Sequence, residues 1–236
     1  MPEKNSETRG SYKSRIVTNI LTKALKLWLK TQVSQISQLE IEIGASDRQL
    51  LSGCIPRVSI FATHPVYKGL HITQVQLVAE NIHINIGSVL KGQALQLLEI
   101  IPVVGELILH EEDLNASLSS ELLSTALNDL LVQLLPEHSP KSKSMNWENI
   151  HLDCGQATIS ATTVEGNPKT INIFLGLKLL GASVLQLAPV LIKSNLVALL
   201  EDNDGQCVDL GSDVDIQELT LSLSKLVCRG RINVNP

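Results

Sequence analysis

The chain has 236 residues, of which 44% are hydrophobic and 18% charged, a balance that excludes a disordered polypeptide and allows one large domain or two small ones. Its six aromatic residues (Tyr12, Trp28, Phe61, Tyr67, Trp147 and Phe174) are too few for the stacking platforms of single-strand binders, so the core must be aliphatic and no nucleic-acid partner is expected. Residues 1–30 carry seven Lys or Arg against Glu3 and Glu7, whereas the net charge of the whole chain is −5; a basic end on an acidic body points to an anionic membrane surface.

Residues 1–13 read as a disordered tail. From Ser14 to about Gln35 the period is helical: Ile16, Val17, Ile20, Leu21, Ala24, Leu25, Trp28 and Leu29 share one face, and Arg15, Asn19, Lys23, Lys26 and Lys30 share another. The period then becomes two. Leu39, Ile41 and Ile43 mark a first strand, Val58, Ile60 and Ala62 a second, and Val75, Leu77 and Ala79 a third. The third is followed by Ile82, Ile84 and Ile86 out of phase, which predicts a bulge near Glu80–Asn81. The segment 87–93 is expected as a loop, with strands at 95–97 and 103–109. His110–Leu118 reads as a short helix with Glu111, Glu112 and Asp113 in its first turn, where the helix dipole favours anions. Ser119 or Ser120 is placed to cap a second helix whose leucine stripe ends at Pro136. Residues 136–144 form a polar linker. Beyond it, strands are expected at 151–164, 171–179, 184–192, 196–200, 214–223 and 226–234. Runs of strands without strict alternation with helices indicate an antiparallel α+β fold, a single domain from residue 14 to 236 with halves at 14–135 and 145–236.

Catalytic patterns are scarce. Cys54, Cys154, Cys207 and Cys228 form no CxxC pair and are expected as free thiols. The sequence has no GxSxG, HExxH or GxGxxG. Gly87 and Gly92 have phosphate-loop spacing, but Gln93 and Ala94 stand where Lys and Ser/Thr are needed. The six histidines show no metal-ligand spacing. No cofactor, no metal and no enzymatic activity are expected. No secretory signal is recognised, and a cytoplasmic protein, peripheral on a membrane at most, is expected.

Two features carry a functional reading beside a plain one. The basic helix either meets anionic headgroups through Arg15, Lys23, Lys26 and Lys30 or docks on the sheet with a solvated basic face. The aliphatic surplus either lines a groove for acyl chains or fills a solid core. If a groove exists, its candidate lining is Val58, Ile60, Val75, Leu77, Ile84, Ile86, Ile173, Leu175 and Leu177 from strands, with Leu127 and Leu131 from the middle helix. Arg57 and Lys68 are the candidates for a lipid phosphate.

Several stretches resemble the LmeA-like phospholipid-binding family, in particular its branch in photosynthetic bacteria: SRIVTNILTKALKLWLKTQV from residue 14, DRQLLSGCIPRVSI (residues 47–60), VYKGLHITQVQLVAENIHINIGSVLKG (66–92), HEEDLNASL (110–118) and VDLGSDVDIQEL with the ending GRINVNP. His110 stands where the family places Thr or Ser before the helix start. The resemblance implies phospholipid binding and no established enzymatic chemistry, and the reading adopted with it is a non-enzymatic module that binds or transfers a phospholipid or glycolipid. The resemblance also implies a fold like that of tubular lipid-binding modules, a strongly curved antiparallel sheet wrapped around the N-terminal and middle helices. The competing expectation is a structural protein with a filled core, an assembly factor for a membrane complex, whose protein partner the sequence does not name.

Overall fold

The computed structural model describes residues 10–135, 145–164, 168–195 and 197–236, with side chains of the first helix described from Thr18 onward. The expected linker 136–144 and positions 1–9 of the expected tail lie outside the described residues. Among the described residues strand outweighs helix about two to one. In chain order the elements are α1 (Gly10–Gln32), β1 (Gln38–Gly44), α2 (Asp47–Leu51), β2 (Cys54–Thr63), β3 (Val66–Tyr67), β4 (Leu70–His71), β5 (Gln74–His83), α3 (Ile86–Val89), β6 (Ile101–His110), α4 (Glu111–Ala116) and α5 (Glu121–Leu134). They continue with β7 (Met145–Asp153), β8 (Gln156–Thr163), β9 (Thr170–Leu179), β10 (Val184–Ser194), β11 (Val197–Asp202), β12 (Gln206–Asp209), β13 (Val214–Ser222) and β14 (Lys225–Val234).

The strands form two antiparallel sheets and a small hairpin. The first sheet has the order β1-β2-β5-β6-β14-β13, and the second β11-β10-β9-β8-β7, with β12 also paired to β10. The expectation of one strongly curved sheet around both helices is corrected: neither sheet is strongly curled. Each sheet covers its apolar face with its own helix, so no single sheet has to enclose two. Leu21 and Leu25 of α1 pack with Val58, Ile55 and Ile82 of the first sheet. Leu127, Leu131 and Leu134 of α5 pack with Ile150, Ile159, Ile173 and Ile192 of the second. The halves expected at 14–135 and 145–236 do not match the sheets either. β14 returns from the far end of the chain to pair with β6 over ten residues, from Lys225↔His110 to Val234↔Ile101.

Local chemistry explains the departures from the expected elements. α1 begins at Gly10, four residues before the expected start at Ser14. Segment 151–164 is a hairpin rather than one strand, turned at Gly155 with φ 76°. β12, unforeseen, follows the acidic turn in which Asp202 Oδ1 accepts hydrogen bonds from the N–H groups of Asp204 and Gly205. β11 and β12 then share one edge of β10, on either side of its register shift between Leu187 and Val190. Opposite that shift a Cβ on Gly176 would lie 2.2 Å from the Ala188 carbonyl oxygen, so the position admits glycine alone. Leu95–Leu97 forms only an isolated bridge to Ile84, and segment 87–93, expected as a loop, begins inside α3.

The predicted phase slip near Asn81 has a specific form. Asn81 takes a left-handed φ of 54° opposite Pro56, which cannot donate to the ladder. The inward face changes in both strands together, to Ile55 and Ile82, and the pairing register is unbroken from Thr63↔Gln74 to Cys54↔His83. No register-shifting bulge is needed. The result is that Ile55, Ile82 and Ile84 join Val58, Ile60, Leu77 and Ala79 on one surface.

Candidate functional site: an apolar cavity beneath the first helix

Between α1 and the first sheet lies a cavity of about 620 Å³, within the usual range of ~300–1,000 Å³ for ligand sites. Leu25, Trp28 and Leu29 of α1 form one wall. The sheet supplies Ile55, Val58 and Ile60 from β2, Leu77, Ala79 and Ile82 from β5, Ile101 and Val103 from β6, and Ile232 and Val234 from β14. The segment between α3 and β6 adds Leu95, Gln96 and Leu97, and Ile84, Asn235 and Pro236 complete the lining. Among the described lining residues only Gln96 and Asn235 have polar side chains, apart from the indole N–H of Trp28, and none has a titratable one.

The register shows how the sheet makes this surface. Val58 pairs with Ala79, and Ala79 with Val103; Ile60 pairs with Leu77, and Leu77 with Gly105. Gly105 in turn faces Gly230. A Cβ on Gly105 would come within 2.7 Å of Leu77 Cδ2, so this glycine lets Leu77 lie across the sheet. It also marks a border. Val103, two residues before it, lines the cavity, whereas Leu107, two residues after it, packs against the second core. One face of β6 therefore serves an open cavity at one end and a solid core at the other.

The segment over the cavity is clasped at its root. Asn85 Nδ2 donates to the Ala94 carbonyl at 3.0 Å, and Asn85 Oδ1 accepts from the Gln96 N–H at 2.8 Å. The Leu98 N–H reaches the His83 carbonyl at 2.9 Å, and the His83 ring contacts the Glu99 carboxylate. These bonds hold Leu95 and Leu97 on the cavity side.

The sequence-predicted residues divide clearly. Val58, Ile60, Leu77 and Ile84 lie on the cavity wall. Val75 and Ile86 do not; Ile86 is buried in the adjoining core. Leu127, Leu131, Ile173 and Leu175 are buried in the second core, with Leu177 packed against it, and are corrected to core positions. The reason is topological: their half of the chain builds a separate sheet with its own helix. Arg57 pairs with Glu80 at 3.0 Å on the face opposite Val58, and Lys68 sits at the β3–β4 turn over the Tyr67 ring; neither reaches the cavity. Lys23 and Lys30 are exposed and Lys26 half-buried on α1, and the side chain of Arg15 lies outside the described residues. Sequence reasoning missed Ile55, Ala79, Ile82, Leu95, Leu97, Ile101, Val103, Ile232 and Val234 as lining residues. The phase change beside Pro56 was the available signal for Ile55 and Ile82.

The HEEDLNASL stretch forms a joint with β7. Asn115 Oδ1 accepts the Ile150 N–H and its Nδ2 donates to the Ile150 and Glu111 carbonyls, all at 2.8 Å, so it acts as an extra strand partner to β7. Glu111 Oε2 accepts the Leu152 N–H at 2.7 Å and lies 3.0 Å from His151 Nδ1. The bond from Leu152, reinforced by His151, holds the Glu111 carboxyl below the usual carboxylate range. Fully buried Ser117 donates to the Asp113 carbonyl and accepts the His71 N–H. At the helix start His110 provides no side-chain cap. The Glu111 N–H is met instead by the Ser224 carbonyl at 2.9 Å. At the next helix it is Ser120 that caps, its hydroxyl accepting the Leu123 N–H.

Among the described residues no group of three or more His, Cys, Asp or Glu is placed to hold a metal, and no helix is long and apolar enough to cross a membrane. Neither a curated protein nor a solved structure matches the chain. A family model described as LmeA-like phospholipid-binding matches residues 13–231, a range that takes in most of α1 and of the cavity-bearing sheet together with the second core and ends just before Ile232 of β14. The chain belongs to the LmeA-like phospholipid-binding family.

Proposed function

We propose that this protein is a non-enzymatic carrier that holds the acyl chains of a phospholipid, or of a glycolipid with similar tails, in the cavity between α1 and the first sheet. The observation that carries the reading is the cavity itself: about 620 Å³, walled by aliphatic side chains, in a chain whose family binds phospholipid. A tail that buries about ten methylenes there gains about 8 kcal/mol before ordering costs, at about 0.8 kcal/mol per methylene. No lining side chain among the described residues offers a nucleophile, a base or a metal ligand, which supports carriage rather than hydrolysis. The second core, closed by α5, serves as the rigid support.

The test is a native mass spectrum of protein purified without detergent. The carrier reading predicts adducts of phospholipid or glycolipid mass that are lost on denaturation. A bare polypeptide mass that gains nothing after incubation with liposomes would sink the reading in favour of an interaction protein.

A further inference from the structure

We propose that the exposed sector of α1 docks on an anionic lipid bilayer and brings the cavity mouth against it, so that a tail passes between bilayer and cavity without crossing water. The passage of a tail rests on the carrier reading above; the docking surface does not.

The helix has three sectors rather than two. Leu21, Leu25 and Leu29, four residues apart, face the sheet. Lys23, Lys26 and Lys30 form a basic sector, and no Asp or Glu occurs anywhere in the helix's 23 residues. Between them on the other side lie Ile20, Leu27 and Trp28, with 44%, 67% and 45% of their surface exposed. A helix docked only on its own core presents polar residues to water. This one presents an apolar stripe beside lysines, the pattern of a helix that lies in a membrane interface.

The stripe is continuous with the cavity. Trp28 belongs to both: its ring lines the cavity while nearly half of it is exposed, and the amphipathic indole suits the headgroup level. Ile232, also a lining residue, is likewise 44% exposed. Leu98 and Ile100, directly after lining residue Leu97, are exposed apolar positions, and Glu99 between them is engaged by His83. Charge selects the partner. The basic sector attracts anionic lipid, and the acidic remainder of the chain is repelled by it, which orients the molecule with α1 towards the bilayer.

The experiment is flotation of the full chain with vesicles of phosphatidylcholine alone or mixed with phosphatidylserine. The variants are Leu27→Asp and the triple Lys23→Gln/Lys26→Gln/Lys30→Gln, checked for unchanged thermal unfolding. The unaltered protein should float with the anionic vesicles and be released by salt. Each lysine near an anionic surface contributes about fivefold in affinity, so the triple variant should bind about a hundredfold more weakly. Leu27→Asp should cut binding at least about tenfold by placing a charge in the apolar stripe. Equal binding to both vesicle types, no binding to either, or variants that float like the parent would overturn the proposal. Native mass spectra of the same samples report the cavity independently. Lipid-loaded protein that does not float overturns docking alone, whereas flotation with an empty cavity supports docking and counts against the carrier reading.

Discussion

Narrowing the cavity should separate binding from stability. Ala79 and Val103 are cross-strand neighbours that line the cavity where it borders the packed core of the first sheet. A phenyl ring from Ala79→Phe would occupy the room of about five methylenes of a bound tail. At about 0.8 kcal/mol each, the loss approaches 4 kcal/mol, or about a thousandfold in affinity if the tail cannot move aside, and at least tenfold if it shifts along the wall. Overpacking costs about 1–3 kcal/mol in a filled core, but here the ring enters a void, so the unfolding temperature should hold or rise. Leu131→Ala is the converse. Leu131 is buried in the second core, so its truncation should cost about 2–5 kcal/mol of stability and leave lipid affinity alone. Uptake of a fluorescent phospholipid and thermal unfolding measure the two quantities. An Ala79→Phe protein that loads lipid as well as the parent would refute the assignment of the cavity.

Other consequences follow from the polar joint and the thiols. Asn115→Ala strands the N–H and carbonyl of Ile150, which is 5% exposed, and should lower stability by about 2–4 kcal/mol in urea denaturation. Because the Glu111 carboxyl is held below its ordinary value, its contribution is complete above the unfolded carboxylate range and is lost as pH falls through the lower folded value. Acid unfolding of Glu111→Gln should accordingly be less steep below about pH 4.5 than that of the parent. Cys154 and Cys207 are exposed, whereas burial pushes the Cys228 thiol up. Alkylation at neutral pH should therefore label the first two promptly and Cys228 slowly, as peptide mapping would show.

Much of the fold was legible because it rests on local pattern. The change of period after α1 placed β1, the phase break between Ala79 and Ile82 located the left-handed Asn81, and the pair Ser119–Ser120 marked the start of α5, where the structure selects Ser120. The partition into two sheets was not legible. The pairing of β14 with β6 joins residues more than a hundred positions apart, and no periodicity encodes which edge a late strand will choose. The site shared this limit. Val58, Ile60 and Leu77 could be read as one face of alternating strands, but the same alternation in Ile173 and Leu175 served a closed core. Alternation shows that a side chain is shielded from water; whether helix, sheet or ligand shields it depends on topology. Trp28 and Leu29 were readable as part of an apolar helix face, but not that Leu21 and Leu25 would suffice to dock it and leave the stripe of Ile20 and Leu27 bare.

The central claim, that a lipid tail occupies the space beneath α1, is tested most directly by the chain's two tryptophans. Trp28 lines the cavity, whereas Trp147 is 7% exposed in the second core and donates its indole N–H to Asn128. Single-tryptophan proteins made by Trp147→Phe or Trp28→Phe would be loaded with phosphatidylcholine brominated along its acyl chain and then freed of vesicles. Acyl bromine should quench the fluorescence of Trp28 strongly and leave Trp147 at its unloaded intensity. Unquenched Trp28 in protein that mass spectrometry shows to carry the lipid, or equal quenching of both, would contradict the account.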